Sequence, residues 1–152
     1  MQIREVAHVL ICYTKLMDLP KEYPKMLAVA AVVMNKEGKI LLHRRAKDPD
    51  KGKWQLFATY VKPGERLVDS VKRRLKEDGG INSVKSINFT GLYYDNLDRH
   101  PGTFCIPFVF KSIIDTNTAT KMDECAWFST AEAVKLDLAL DDNQVLRDVL
   151  KM

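Results

Sequence analysis

Glu65, Arg73, Arg74, Glu77 and Asp78 crowd into one short stretch, and their spacing is where chemistry is most legible in this chain. Leu67, Val71 and Leu75 recur every four residues, which predicts a helix with one apolar face, entered from the turn pair Pro63-Gly64 and stopped by Gly79-Gly80. Positions 74, 77, 78 and 81 fall together beside that face, so Arg74, Glu77 and Asp78 are presented as one charged cluster. Adjacent carboxylates on a rigid helix, with Glu65 approaching from the loop, are hard oxygen donors of the type a magnesium or manganese ion takes. The same pair also fits a plain solvated helix face, and Glu65 also fits as an anion placed at a helix N-terminus. Arg74 puts a permanent cation into the cluster, where it opposes a metal, pairs with Glu77 or Asp78, or grips a phosphate through its planar fork.

These residues need elements to hold them. Leu27–Met34 is a nearly continuous apolar run and reads as a buried strand; Asn35–Gly38 is a turn, and 39–45 returns as the second arm of a hairpin. Residues 46–53, with Pro49 and Gly52, read as a loop delivering Trp54. Beyond the helix, Val84 to Tyr94 predicts one or two strands and 95–102 an exposed loop. Residues 103–114 predict a strand in which Pro107 signals an edge or a bulge, and 121–128 a last short one around Trp127. Ser129 with Glu132 spells a capping box opening a helix, and 141–150 predicts a second helix with Val145, Leu146 and Val149 inward. Residues 1–22, an N-terminal extension, fit either a strand pair or an amphipathic helix. Strands, a central helix, strands and a C-terminal helix make an α+β fold, or an α/β/α sandwich around a mixed sheet.

The 152 residues have room for one domain with a proper core. A net charge of +4 is too small to imply a nucleic-acid partner and suits a phosphate-bearing small molecule. Cys12, Cys105 and Cys125 are far apart and lack paired metal or redox spacing, which favours reduced, buried thiols. With no apolar run of membrane-spanning length and no secretory leader, the expected location is the cytoplasm. Trp54 and Trp127 are expected in the core, and His43 and His100 have no partner spacing of a ligand.

From Glu65, seven residues lead to Arg73-Arg74-Leu75-Lys76-Glu77-Asp78-Gly79-Gly80-Ile81. This resembles the signature of the Nudix hydrolases: Gly, five residues, Glu, seven residues, Arg-Glu-aliphatic-x-Glu-Glu-x-Gly-aliphatic. The flanks AVAAVVMNKEGKILLHRRAKDPDKGKW, GLYYDNLDRHPGTFCIPFVF and ECAWFSTAEAVKLDLALDD are similar to the ADP-ribose pyrophosphatase-like branch, so the likeness spans roughly 23–150. It implies a Nudix-type α/β/α sandwich in which Glu77 and Asp78 hold Mg2+ or Mn2+ and, with Glu65, act in catalysis. It further implies that Arg44, Arg45 and Arg99, each of which also fits a plain surface arginine, lie near substrate, that Arg73 orients acidic side chains, and that Glu124 positions water, whereas Arg74 is a candidate substrate contact through its own planar fork and not through the family pattern. The departures sit on the chemistry: Thr59, after Ala58, replaces the opening glycine, Arg74 a glutamate, and Asp78 the last glutamate.

Three functions follow as expectations. One is a metal-dependent hydrolase of a nucleoside diphosphate linked to another moiety, ADP-ribose-like. Another is a module that binds such a diphosphate without cleaving it, with Arg74 standing for the metal's charge. The last is an interaction protein that keeps only the fold. A homodimer is compatible with each.

Overall fold

A computed structural model describes residues 27–95 and 105–152. The expectations for residues 1–22, for most of the 95–102 loop, and for Cys12, Arg99 and His100 lie outside the described residues.

Leu27–Met34 forms β1, and the turn at Asn35–Gly38 leads into antiparallel β2, Ile40–Arg44, with Met34 opposite Ile40. The hairpin holds because Asn35 folds back on itself: its Oδ1 accepts from the backbone of Glu37 and Lys39, while Gly38 takes the positive φ of 76°. The chain then runs through two short strands that the sequence pattern did not reveal, β3 (Trp54–Gln55) on β2 and β4 (Phe57–Tyr60) on β1. The change of partner falls at Leu56, whose buried backbone N–H donates to Asp142 Oδ2 at 2.8 Å. A strand so short, divided between two neighbours, leaves no alternation to read.

Helix α1 covers Leu67–Gly79, β5 is Ser86–Tyr93, β6 is Ile106–Ile113 and β7 is Cys125–Phe128. A four-residue α2 (Thr130–Ala133) carries the expected capping box between Ser129 and Glu132, and α3 is Asp142–Leu150. β6 lies between β1, with which it runs parallel over its whole length, and β5, so Pro107 is in an interior strand and not at an edge. The irregularity it signalled is carried by β5, whose register slips between Phe89 and Tyr93 around Gly91.

β1 shows why the architecture has three layers. Val29, Ala31 and Val33 share a core with Val71 and Leu75 of α1, whereas Val32 and Met34 share another with Val145, Leu146 and Val149 of α3. Alternation sends successive side chains to opposite faces, so a strand apolar throughout is one buried on both sides. The helices lie on the two faces, giving the α+β sandwich that was expected. α1 packs on β4 and β1, and farther along the same face Phe89 and Tyr93 of β5 remain 50% and 56% exposed.

Candidate functional site

The site is built on α1 and the loop that enters it. Glu65 does not sit in the first helical turn; it precedes the cap residue Arg66, and Asp69 holds the first-turn position. Its carboxylate serves the loop instead. Oε2 accepts from Lys62 N at 3.0 Å, Ser70 Oγ at 2.7 Å and Arg73 Nη2 at 3.0 Å, and Oε1 accepts from Arg73 Nε at 2.8 Å. Hydrogen bonds from Arg73 above all, then from Lys62 and Ser70, lower its pKa to about 2. Arg73 also donates to the Tyr60 carbonyl at 2.9 Å and reaches Thr59 Oγ1 and Glu77 Oε2 at 3.5 Å. One guanidinium thus ties β4, the loop and α1 together.

One turn away, Arg74 Nη2 lies 2.7 Å from Asp78 Oδ2. The approach is close without being aligned as a hydrogen bond, and the buried Arg74 Nε has no hydrogen-bond partner among the described residues. His43 enters from β2, with Nε2 at 3.2 Å from both Asp78 Oδ2 and the Leu56 carbonyl. Two acceptors facing one ring nitrogen assign the proton to Nε2. His43, whose spacing along the chain suggests no ligand role, is thus set beside Asp78 by the fold. Alternation along β2 was the available signal, because Leu41 and His43 point to one face and Leu41 is in the α1-side core. Burial first, then the Arg74 charge, lower the His43 pKa to about 4. Burial raises that of Asp78, against Arg74, which lowers it. Cys125, paired across from His43 on β7, donates its thiol to the Asp78 carbonyl at 3.6 Å, and burial pushes that thiol up to about 11.

Glu77 is the open carboxylate, with its side chain 47% exposed. Lys121 Nζ donates to its backbone carbonyl. Arg44 and Arg45 serve the 46–53 loop: Arg44 donates to the Gly52 carbonyl and lies 3.9 Å over the Trp54 ring, and Arg45 donates to the Pro49 carbonyl and Gln55 Oε1. Glu124 is exposed, and its carbonyl accepts from Arg44 N. Trp54 and Trp127 are half-buried, packed against the two cores from their margins. A groove of about 640 Å³ opens beside this cluster, lined by Leu27, Thr59, Tyr60, Lys62, Glu65 and Arg73 among others, and neither Glu77 nor Asp78 lines it.

A magnesium-type ion requires several oxygen donors converging in near-octahedral geometry. Among the described residues no three His, Cys, Asp or Glu side chains converge in that way. Glu65 is spent on Arg73, Ser70 and Lys62, and Asp78 Oδ2, which accepts no hydrogen bond among the described residues, is flanked by the Arg74 guanidinium and His43 Nε2. As arranged, these side chains do not fit a divalent ion.

A model of the NUDIX domain matches residues 24–149. The ADP-ribose pyrophosphatase of Methanocaldococcus jannaschii is 31% identical over 125 residues, spanning 78% of this chain and 70% of that protein. The CTP pyrophosphohydrolase of Escherichia coli is 29% identical over 126 residues, 80% of this chain and 90% of that one. In structure, the NUDIX domain of Shewanella oneidensis NrtR, complexed with ADP ribose, matches with a TM-score of 0.73 at 18% identity, covering 91% of this chain and 96% of that chain. Sheet topology, signature helix and sequence relatives agree that this chain belongs to the Nudix hydrolase family, alongside an ADP-ribose pyrophosphatase.

Proposed function

We propose that this chain is a Nudix domain that holds a nucleoside diphosphate linked to another moiety, ADP-ribose-like, and that hydrolysis in it is impaired relative to binding. The observation that carries the reading is the 2.7 Å Arg74–Asp78 ion pair at the C-terminal end of the signature helix. Nudix hydrolases generally use divalent metals, and two of the carboxylates that would gather one, Glu65 and Asp78, are here paired with arginines. The groove supports the binding half: its volume of about 640 Å³ lies within the range of small-molecule sites. Its rim carries the exposed Lys62 as a phosphate contact, and Arg73 holds the loop that shapes it. Arg44, Arg45 and Arg99 are proposed as further substrate contacts, in a single domain.

The second reading is an active pyrophosphohydrolase, favoured by the identity to the M. jannaschii enzyme and by the exposure of Glu77. Glu77 and Asp78 would then be its catalytic pair, with Glu65 and Glu124 assisting.

Incubation with ADP-ribose and a panel of nucleoside diphosphates in Mg2+ or Mn2+, following AMP and phosphate release, separates the two. The expected result is a ligand-induced rise in melting temperature with turnover absent or weak. Multiple rapid turnovers would establish the second reading, and neither binding nor turnover would overturn both.

A further inference from the structure

Three carboxylates at the signature helix, Glu65, Glu77 and Asp78, already face an arginine. Arg74 Nη2 meets Asp78 Oδ2 at 2.7 Å, Arg73 meets Glu65 at 2.8 Å, and the same Arg73 reaches Glu77 at 3.5 Å. We infer that the Arg74 guanidinium takes the place of a divalent ion, so that the site is assembled without metal and receives its diphosphate ligand as the metal-free anion. The second half of this inference rests on the nucleotide-binding reading above; the first does not.

Three features support an internal cation. The first is tethering: Arg74 and Asp78 are four residues apart on one helix, so the positive charge is presented by the backbone whenever α1 is folded. The next is packing. Arg74 is only 26% exposed in its side chain, and its Nε is enclosed, so the guanidinium is lodged in the site and is not a solvated arm that an arriving ion would simply displace. The last is the occupancy of the oxygens. Asp78 Oδ2 is faced by His43 as well as Arg74, and both Glu65 oxygens accept from Arg73. An entering divalent ion would have to break these contacts while meeting Arg74 and Lys121, both of which act on Asp78. Like charges at such distances oppose each other by enough to change occupancy by orders of magnitude.

The test uses metal alone. Mn2+ titrated into the purified chain, with free Mn2+ followed by electron paramagnetic resonance, should show no saturable binding up to millimolar metal, and the melting temperature should be the same in EDTA and in Mg2+. Arg74→Glu should bind a single Mn2+ roughly a hundredfold more tightly than the parent and melt higher with metal than without. Arg74→Gln, which removes the charge without adding a carboxylate, should fall between the two and serves if the glutamate variant does not fold. Micromolar Mn2+ binding by the parent chain, lost in Asp78→Asn, would overturn the inference. ADP-ribose affinity of the parent should be equal in EDTA and Mg2+, and binding that requires Mg2+ would also overturn it. Absence of ADP-ribose binding under both conditions removes the nucleotide half, while the Mn2+ titration still reports on Arg74.

Discussion

At the scale of single residues, His43 and Glu65 both weaken the fold as pH falls, in successive windows. His43 has its pKa lowered from 6.5 to about 4, chiefly by burial and then by Arg74. Between those values the unfolded chain takes up a proton that the folded chain refuses, so the contribution is complete above pH 6.5 and is lost as pH falls toward about 4. The full loss corresponds to about 3 kcal/mol at 1.36 kcal/mol per unit. Urea denaturation across that window should show the loss in the parent chain, and His43→Gln, which keeps a donor but does not titrate, should lack that component. Glu65 has its pKa lowered from 4.5 to about 2 by Arg73 foremost, so its contribution is complete above pH 4.5 and is lost as pH falls through about 2. Thermal melts of Glu65→Gln should accordingly be flatter than the parent's on the acid limb between those values.

At the scale of elements, α1 is defined at its ends by its own entry loop and by a left-handed glycine. Its cap residue Arg66 makes no side-chain capping bond, and the Glu65–Ser70–Arg73 network holds the entry instead. Its exit is Gly80, at φ 64° in the left-handed region, whose N–H bonds back to the carbonyls of Leu75 and Lys76. A Cβ there would come within 2.0 Å of Thr120 Oγ1, on the segment leading to β7. Gly80→Ala should therefore lose roughly 2 kcal/mol or more, from backbone strain together with that overlap. Thr120→Ala in the same chain should restore only the part due to the overlap, with both readings taken from denaturant midpoints. The exit of α1 also sets where Asp78 points, so a shifted helix end would separate it from His43.

At the scale of the whole molecule, the sheet divides two cores that share no side chain among the described residues. Leu75 belongs to the α1 side and Leu146 to the α3 side, each fully buried. Truncation of either to alanine should cost about 2–5 kcal/mol, and the double variant should equal the sum within roughly 0.5 kcal/mol. A clear departure from additivity in chemical denaturation would mean that the layers repack together. Among the described residues no helix is long and apolar enough to cross a membrane.

The sequence alone determined the parts whose information is local. Leu67, Val71 and Leu75 recur at helical spacing, β1 is apolar without interruption, and Ser129 and Glu132 spell a capping box, so α1, the central strand and α2 were legible, as was the signature from Glu65 to Ile81. It showed too that Arg74 lay in reach of Asp78, because four residues make one helical turn. Only the tertiary structure decided what those charges do. Glu65 sees Arg73 across a folded loop, His43 reaches Asp78 from another strand, and the 54–60 segment splits its pairing between β2 and β1. Each of these depends on residues brought together from separate elements, and a pattern read along one chain carries no term for the distance between its elements.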